Sequence, residues 1–194
     1  MTAPKLKQVL SIICRNLSDS GVPHALIGAM AMALYGMPRY TADIDLLCDE
    51  SHRKAIKEIM TRLGYNCYND SDNFAQFDSE LGVLGNIDFL FAQTKEGRAI
   101  IERRVVIKDD VLGDMPIVQP TDYAVLKLMA IANDPSRQAH DTADLETLLK
   151  ASTAGLMNPK VKPIDIDHLK TFAKRFGILK QLSALLIAPT GTGK

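Results

Sequence analysis

A chain of 194 residues that is 46% hydrophobic and 24% charged has the composition of an ordinary globular protein, with room for one domain and a smaller appendage. Its 23 Lys and Arg balance 23 Asp and Glu, which excludes the overall basic footprint that drives binding to a nucleic-acid backbone. No run of 18 apolar residues suggests a membrane span, so a cytoplasmic protein without a membrane partner is expected.

The N-terminal "MTAPKLKQVLSIICRNL" lacks the basic start, unbroken apolar centre and small-residue cleavage site of a signal peptide, and reads as an amphipathic helix. Cys14, Cys48 and Cys67 are odd in number and show no CxxC spacing, which argues against a disulfide framework or a zinc site and for reduced structural thiols. A turn at Gly21 to Pro23 leads into a short strand, His24 to Ile27. Gly28 then opens a short helix closed by Gly36 and Pro38. "DIDLLC" is a strand, Asp49 or Ser51 caps the next helix, and that helix lines up Ile56, Ile59, Met60 and Leu63 before Gly64.

"YNCY" and "FAQFD" are short strands around the polar loop "NDSDN", and "NIDFLFA" is a third strand with one carboxylate, Asp88. A helix at "KEGRAIIERR" follows, then strands at "RVVI" and "PIVQ" separated by a turn at "LGDM". From Pro120 the pattern becomes helical, with Pro120 and Pro135 placed as first-turn residues. The expected organisation is a small mixed β-sheet flanked by helices over residues 1–118, a helical subdomain over 119–187, and a tail over 188–194. That stretch, in "LLIAPTGTGK", resembles a phosphate-binding loop, which works only with a hydroxyl residue and a helix after the Lys; it is expected to be a terminal tail, with a fragment of a longer protein as the alternative.

Asp43 and Asp45 are two apart in a strand, so both carboxylates point to one face about 6.6 Å apart. Like charges in a partly buried strand need compensation, and magnesium, which accepts one or two carboxylates and completes its shell with water and phosphates, is the natural candidate. Asp88 lies 43 residues after Asp45 among apolar neighbours. If its strand adjoins the first, three carboxylates converge, the requirement for two metal ions about 3.5 to 4 Å apart around an in-line displacement. Gly28, 15 residues before Asp43, lets the backbone approach a ligand, and the N–H groups at Ala29 and Met30 offer an anion site. The second "DID", Asp165 to Asp167, follows Pro163 and opens a helical pattern; there Asp167 reads as a cap or first-turn residue.

Ile27-Gly28-Ala29, a short helix, Asp43-Ile44-Asp45 and then Asp88 together resemble the nucleotidyltransferase superfamily typified by DNA polymerase beta. "YGMPRYTADIDLL", with "LKLMA" and "HDTADLETLL" later, further resembles its minimal bacterial members related to abortive-infection and toxin–antitoxin nucleotidyltransferases. The likeness runs from about His24 to Leu186. It implies transfer of a nucleoside monophosphate from a nucleoside triphosphate to a hydroxyl of a tRNA, a protein or a small molecule such as an antibiotic. A cognate antitoxin is an implied partner, and a non-catalytic nucleotide-binding module on the same fold is the alternative.

By that resemblance Asp43, Asp45 and Asp88 bind two magnesium ions, and Asp88 helps deprotonate the acceptor. Gly28 and the Ala29 N–H cradle the triphosphate, and Arg39 and Thr41 steady the phosphates or the motif itself. Lys127 reaches the triphosphate. For Arg39 and Lys127 a structural role stands open beside nucleotide contact. Ala29 stands where the family has Gly or Ser, and His140 where Lys often precedes the equivalent of Asp141. Arg137, Asp141 and Asp144 have the spacing of surface ion pairs on a helix.

Overall fold

The computed structural model describes residues 4–79, 84–110, 112–133 and 138–187. They divide into two compact units, one of Met1–Leu34 with Pro38–Val118 and one of Tyr35–Met37 with Gln119–Lys194.

The first unit begins with α1 (Pro4–Asp19), whose Leu6, Val9, Leu10, Ile13, Cys14 and Leu17 are buried at helical spacing. The strands are β1 (His24–Leu26), β2 (Asp43–Asp49), β3 (Tyr65–Asp70), β4 (Phe74–Ser79), β5 (Asn86–Ala92), β6 (Val105–Asp109) and β7 (Gly113–Ile117). Between them lie α2 (Gly28–Leu34), α3 (Arg53–Arg62) and α4 (Lys95–Glu102). Asp49 accepts a hydrogen bond from the Ser51 N–H (2.9 Å) and caps a single 3-10 turn, Glu50–His52, that feeds α3.

The described strands form one seven-stranded sheet in the order β3-β4-β5-β2-β1-β7-β6. β2 runs parallel to β5, and β1 parallel to β7; the remaining pairs are antiparallel. Alternation gives the middle of the sheet two characters. Ile44, Leu46, Ala75, Phe77, Ile87 and Phe89 are fully buried and are matched across strands as Ile44↔Ile87, Leu46↔Phe89, Ala75↔Phe89 and Phe77↔Ile87. Their intervening neighbours Asp43, Asp45, Gln76, Asp78 and Asp88 are only half-buried and share the opposite face.

Two loops are shorter than the sequence suggests. Asn69 and Asp70 belong to β3, because Arg53 grips the hairpin: it pairs with Asp70 (2.7 Å) and donates to the carbonyls of Ser71 (2.9 Å) and Asp72 (2.6 Å) while lying over the Phe91 ring. The expected turn at "LGDM" is instead the start of β7, since Gly113 pairs with Asp109 and the Asp109 carboxylate accepts from the Leu112 N–H (2.8 Å).

The second unit contains α5 (Pro120–Asn133), α6 (Gln138–Thr153), α7 (Ile166–Arg175) and α8 (Leu179–Ile187). Asp165 caps α7 by accepting from the His168 N–H (2.9 Å), and Asp167 stands in the first turn. Gly177, at φ 72°, separates α7 from α8. Pro135, Arg137 and the 188–194 tail lie outside the described residues. Among those described, no helix is long and apolar enough to cross a membrane. Cys14 and Cys48 are buried free thiols and Cys67 is an exposed one; burial pushes the Cys14 thiol up to about 12.

Candidate active site

β2 and β5 are adjacent and parallel, with Asp43 opposite Asn86 and Asp45 opposite Asp88. Neighbouring strands lie about 4.8 Å apart, so Asp45 and Asp88 stand side by side and Asp43 lies one pleat away on the same face. The strand exists because Ile44, Leu46, Leu47 and Cys48 are buried, and their burial fixes which way the acids point.

Gly28 abuts this row. It adopts φ 64°, and a β-carbon there would lie 1.9 Å from Asp45 Oδ2 and 2.6 Å from Asp45 Cγ. Only a residue without a side chain fits, so the start of α2 is pressed against the carboxylate. The Ile27 N–H donates to the Asp45 carbonyl (2.9 Å), and the Ala31 N–H closes the first turn on Ile27 O (3.4 Å). The earlier N–H groups, including that of Ala29, therefore point out of the helix start. Ala29 itself buries its methyl and offers the site only backbone.

Thr41 serves the strand. Its Oγ1 accepts from the Asp43 N–H and donates to the Asp43 carbonyl, both at 3.1 Å, which fixes the backbone where the carboxylate pair begins. Arg39 is half-buried and its Nη1 donates to Tyr40 O at 3.4 Å.

Periodicity did not single out Gln76 and Asp78. Gln76 sits opposite Asp88 and its Nε2 donates to Asp88 Oδ2 at 3.0 Å. The signal was present as a polar residue in register with an acid, but register is invisible until strands are paired. Asp78, two residues on, adds another carboxylate to this face.

Lys127 belongs to the second unit. Its Nζ lies 2.6 Å from Asp141 Oδ1 and 2.8 Å from Asp144 Oδ2. Asp141 and Asp144 are buried, so they are not the surface pair that their spacing suggests: one helical face of α6 turns them toward α5. Tyr123 Oη also donates to Asp144 (3.4 Å). His140 is exposed.

The donor chemistry of the first unit fits magnesium: hard carboxylate oxygens on one half-buried face, with glycine keeping the adjoining backbone close. Among the described residues no group of three or more His, Cys, Asp or Glu side chains could hold a metal ion by itself. The arrangement suits the mode in which one or two carboxylates share the ion with water and substrate phosphates.

A glycine-hinged helix start beside an acidic pair on one strand and a third acid on its parallel neighbour is the arrangement expected of a nucleotidyltransferase. The chain belongs to the nucleotidyl transferase AbiEii toxin family of type IV toxin–antitoxin systems, whose family model matches residues 11–186. No curated protein matches it. Solved structures share the fold. The antibiotic-resistance factor ANT(2'')-Ia is similar at 14% identity and TM-score 0.58, over 92% of this chain and 95% of that one. The lincosamide antibiotic adenylyltransferase LnuA, with lincomycin bound, matches at 14% and 0.52 over 76% and 96%. An antigenic nucleotidyltransferase-like protein from Paracoccidioides brasiliensis matches at 16% and 0.57 over 97% and 94%.

Proposed function

We propose that this nucleotidyltransferase moves a nucleoside monophosphate from a nucleoside triphosphate to an acceptor hydroxyl in a magnesium-dependent reaction. The observation that carries the reading is the register of Asp45 with Asp88 on one face, beside a Gly28 that has no room for a side chain.

Asp43 and Asp45 would hold the metal, with Asp88 beside them. When bound, magnesium supplies positive charge against the phosphates and the oxygens exchanged in the displacement. Gly28 and the Ala29 N–H would cradle the triphosphate at the opening of α2. Thr41 holds the Asp43 backbone, which fixes where the side chain of that residue leaves the strand. Asp88, oriented by Gln76, would take the proton of the attacking hydroxyl. Arg39 is a proposed phosphate contact; within the helical unit, the pairing of Lys127 with Asp141 and Asp144 favours a structural role for that lysine.

Family membership supports a toxin acting on a cellular component and a cognate antitoxin as partner. The acceptor classes to be tried are tRNA, protein, and the aminoglycosides and lincosamides. Pyrophosphate release should be followed with each nucleoside triphosphate, magnesium and cell extract. Loss of release in a folded Asp45→Asn variant is expected, and wild-type activity in that variant would overturn the proposal.

A further inference from the structure

The row of side chains across the acidic face has a direction. Gly28 and α2 adjoin Asp45 from the β1 side, whereas Asp88, Gln76 and the β3 edge lie on the other. An in-line displacement puts the attacking and leaving oxygens on opposite sides of the phosphorus. With the triphosphate cradled at Gly28, the acceptor arrives across β5, β4 and β3.

That flank carries a built feature. β3 slips against β4 by one residue: Cys67 opposes Phe77, yet Asn69 opposes Gln76. Tyr68 is the extra residue, so Tyr68 and Asn69 together face Gln76, a bulge of the kind that re-aims side chains beside functional sites. Asn69 Nδ2 donates to Gln76 Oε1 (2.8 Å) and Gln76 Nε2 donates to Asp88 Oδ2 (3.0 Å), a continuous chain from the bulge to the site. Tyr68 keeps 52% of its surface exposed. Cys67 is in register with the core-face Phe77, so strand alternation turns Tyr68 to the acidic face beside Asn69; there its hydroxyl is raised above the ordinary range by burial and then by the charges of Asp88, Asp43 and Asp78. The ring thus offers about half of its surface on the flank from which the acceptor comes.

We infer that Tyr68 is an acceptor-contacting residue, whose ring carries a hydroxyl-bearing sugar of the acceptor while the reacting hydroxyl reaches Asp88. The inference rests on the nucleotidyl transfer proposed above. In the step, the hydroxyl proton passes to the Asp88 carboxylate and the hydroxyl oxygen bonds to the α-phosphorus. The α–β bridging P–O bond breaks, its electron pair leaving with pyrophosphate. The sugar belongs either to a free glycoside or to an RNA end.

The full chain, Tyr68→Ala and Tyr68→Phe are compared in two measurements. Binding of ATP, GTP, CTP and UTP is titrated in calcium, and transfer of α-label in magnesium is followed into total RNA and into an aminoglycoside and lincosamide panel. Tyr68→Ala should bind nucleotide as the wild type does and lose about tenfold or more in transfer, the scale on which truncating an aromatic anchor weakens a contact. Tyr68→Phe should keep it. Label in RNA or in the glycosides identifies the source. Equal loss of nucleotide affinity and transfer, unchanged transfer, or a Phe variant as poor as the Ala variant overturns the inference. So does a wild-type chain that binds nucleotide but labels neither pool. A wild-type chain that neither binds nucleotide nor releases pyrophosphate overturns the underlying reaction instead.

Discussion

Gly28 and Asp45 are packed so closely that a methyl group on the glycine would fall 1.9 Å from the carboxylate oxygen, on a backbone already at φ 64°. Gly28→Ala therefore imposes two penalties: about 1–2 kcal/mol for a left-handed conformation in a residue with a β-carbon, and displacement of Asp45. A shift of about 1 Å in a reacting group costs on the order of 100-fold in rate. Pyrophosphate release should fall by about that factor while circular dichroism stays that of the wild type. Undiminished release would show that Asp45 tolerates the move.

In the helical unit, Lys127 is paired with two buried carboxylates at once. Removing the cation of a buried cluster costs about 3–5 kcal/mol, because the remaining charges stay desolvated. Lys127→Met should lower Tm by about 6 °C or more for a chain of this size. A scanning melt within 2 °C of the wild type would mean that Asp141 and Asp144 find other compensation.

Asp70 gives a pH-dependent term. The hydrogen bond from Lys57 lowers its carboxyl, burial opposes this, and the charges of Lys57 and Arg53 add to the lowering. A folded-state value below the unfolded one means that the stabilisation is present above the ordinary 3.8 and is lost as pH falls through the folded value. The side chain is 38% exposed, so screening keeps the term under about 1 kcal/mol. The urea midpoint of the wild type should drop more steeply than that of Asp70→Asn between about pH 5 and pH 3; parallel curves would remove Asp70 from the account.

Arg53 should matter more than the aspartate it holds. It donates to two hairpin carbonyls and lies 4.0 Å from the centre of the Phe91 ring. Arg53→Ala is expected to cost about 2 kcal/mol and to speed hydrogen exchange around Ser71–Asn73. Unchanged exchange there would contradict its role as a clamp.

The acids were legible because they break an apolar strand: Asp43, Asp45 and Asp88 each sit where burial of the neighbours makes a charge expensive. The glycine was legible for the same local reason. What needs pairing was not legible. Gln76 becomes part of the site only when β4 is set beside β5, and Tyr68 only through a register slip that no periodicity records. Asp141 and Asp144 looked like surface charges since spacing along α6 says nothing of which helix it meets. The start of β7 at Gly113 depended on the Asp109 carboxylate accepting from the Leu112 N–H inside the turn.

Tyr35–Met37 clusters with the helical unit although the residues on both sides belong to the other. Tyr35 is fully buried, its ring meets Tyr123 edge-on at 5.8 Å, and its carbonyl accepts from the Asn158 N–H at 2.8 Å. A genetic cut after Val118 would therefore strand an aromatic in the surviving half. A transplant of the helical part into another chain would have to carry these three upstream residues with it.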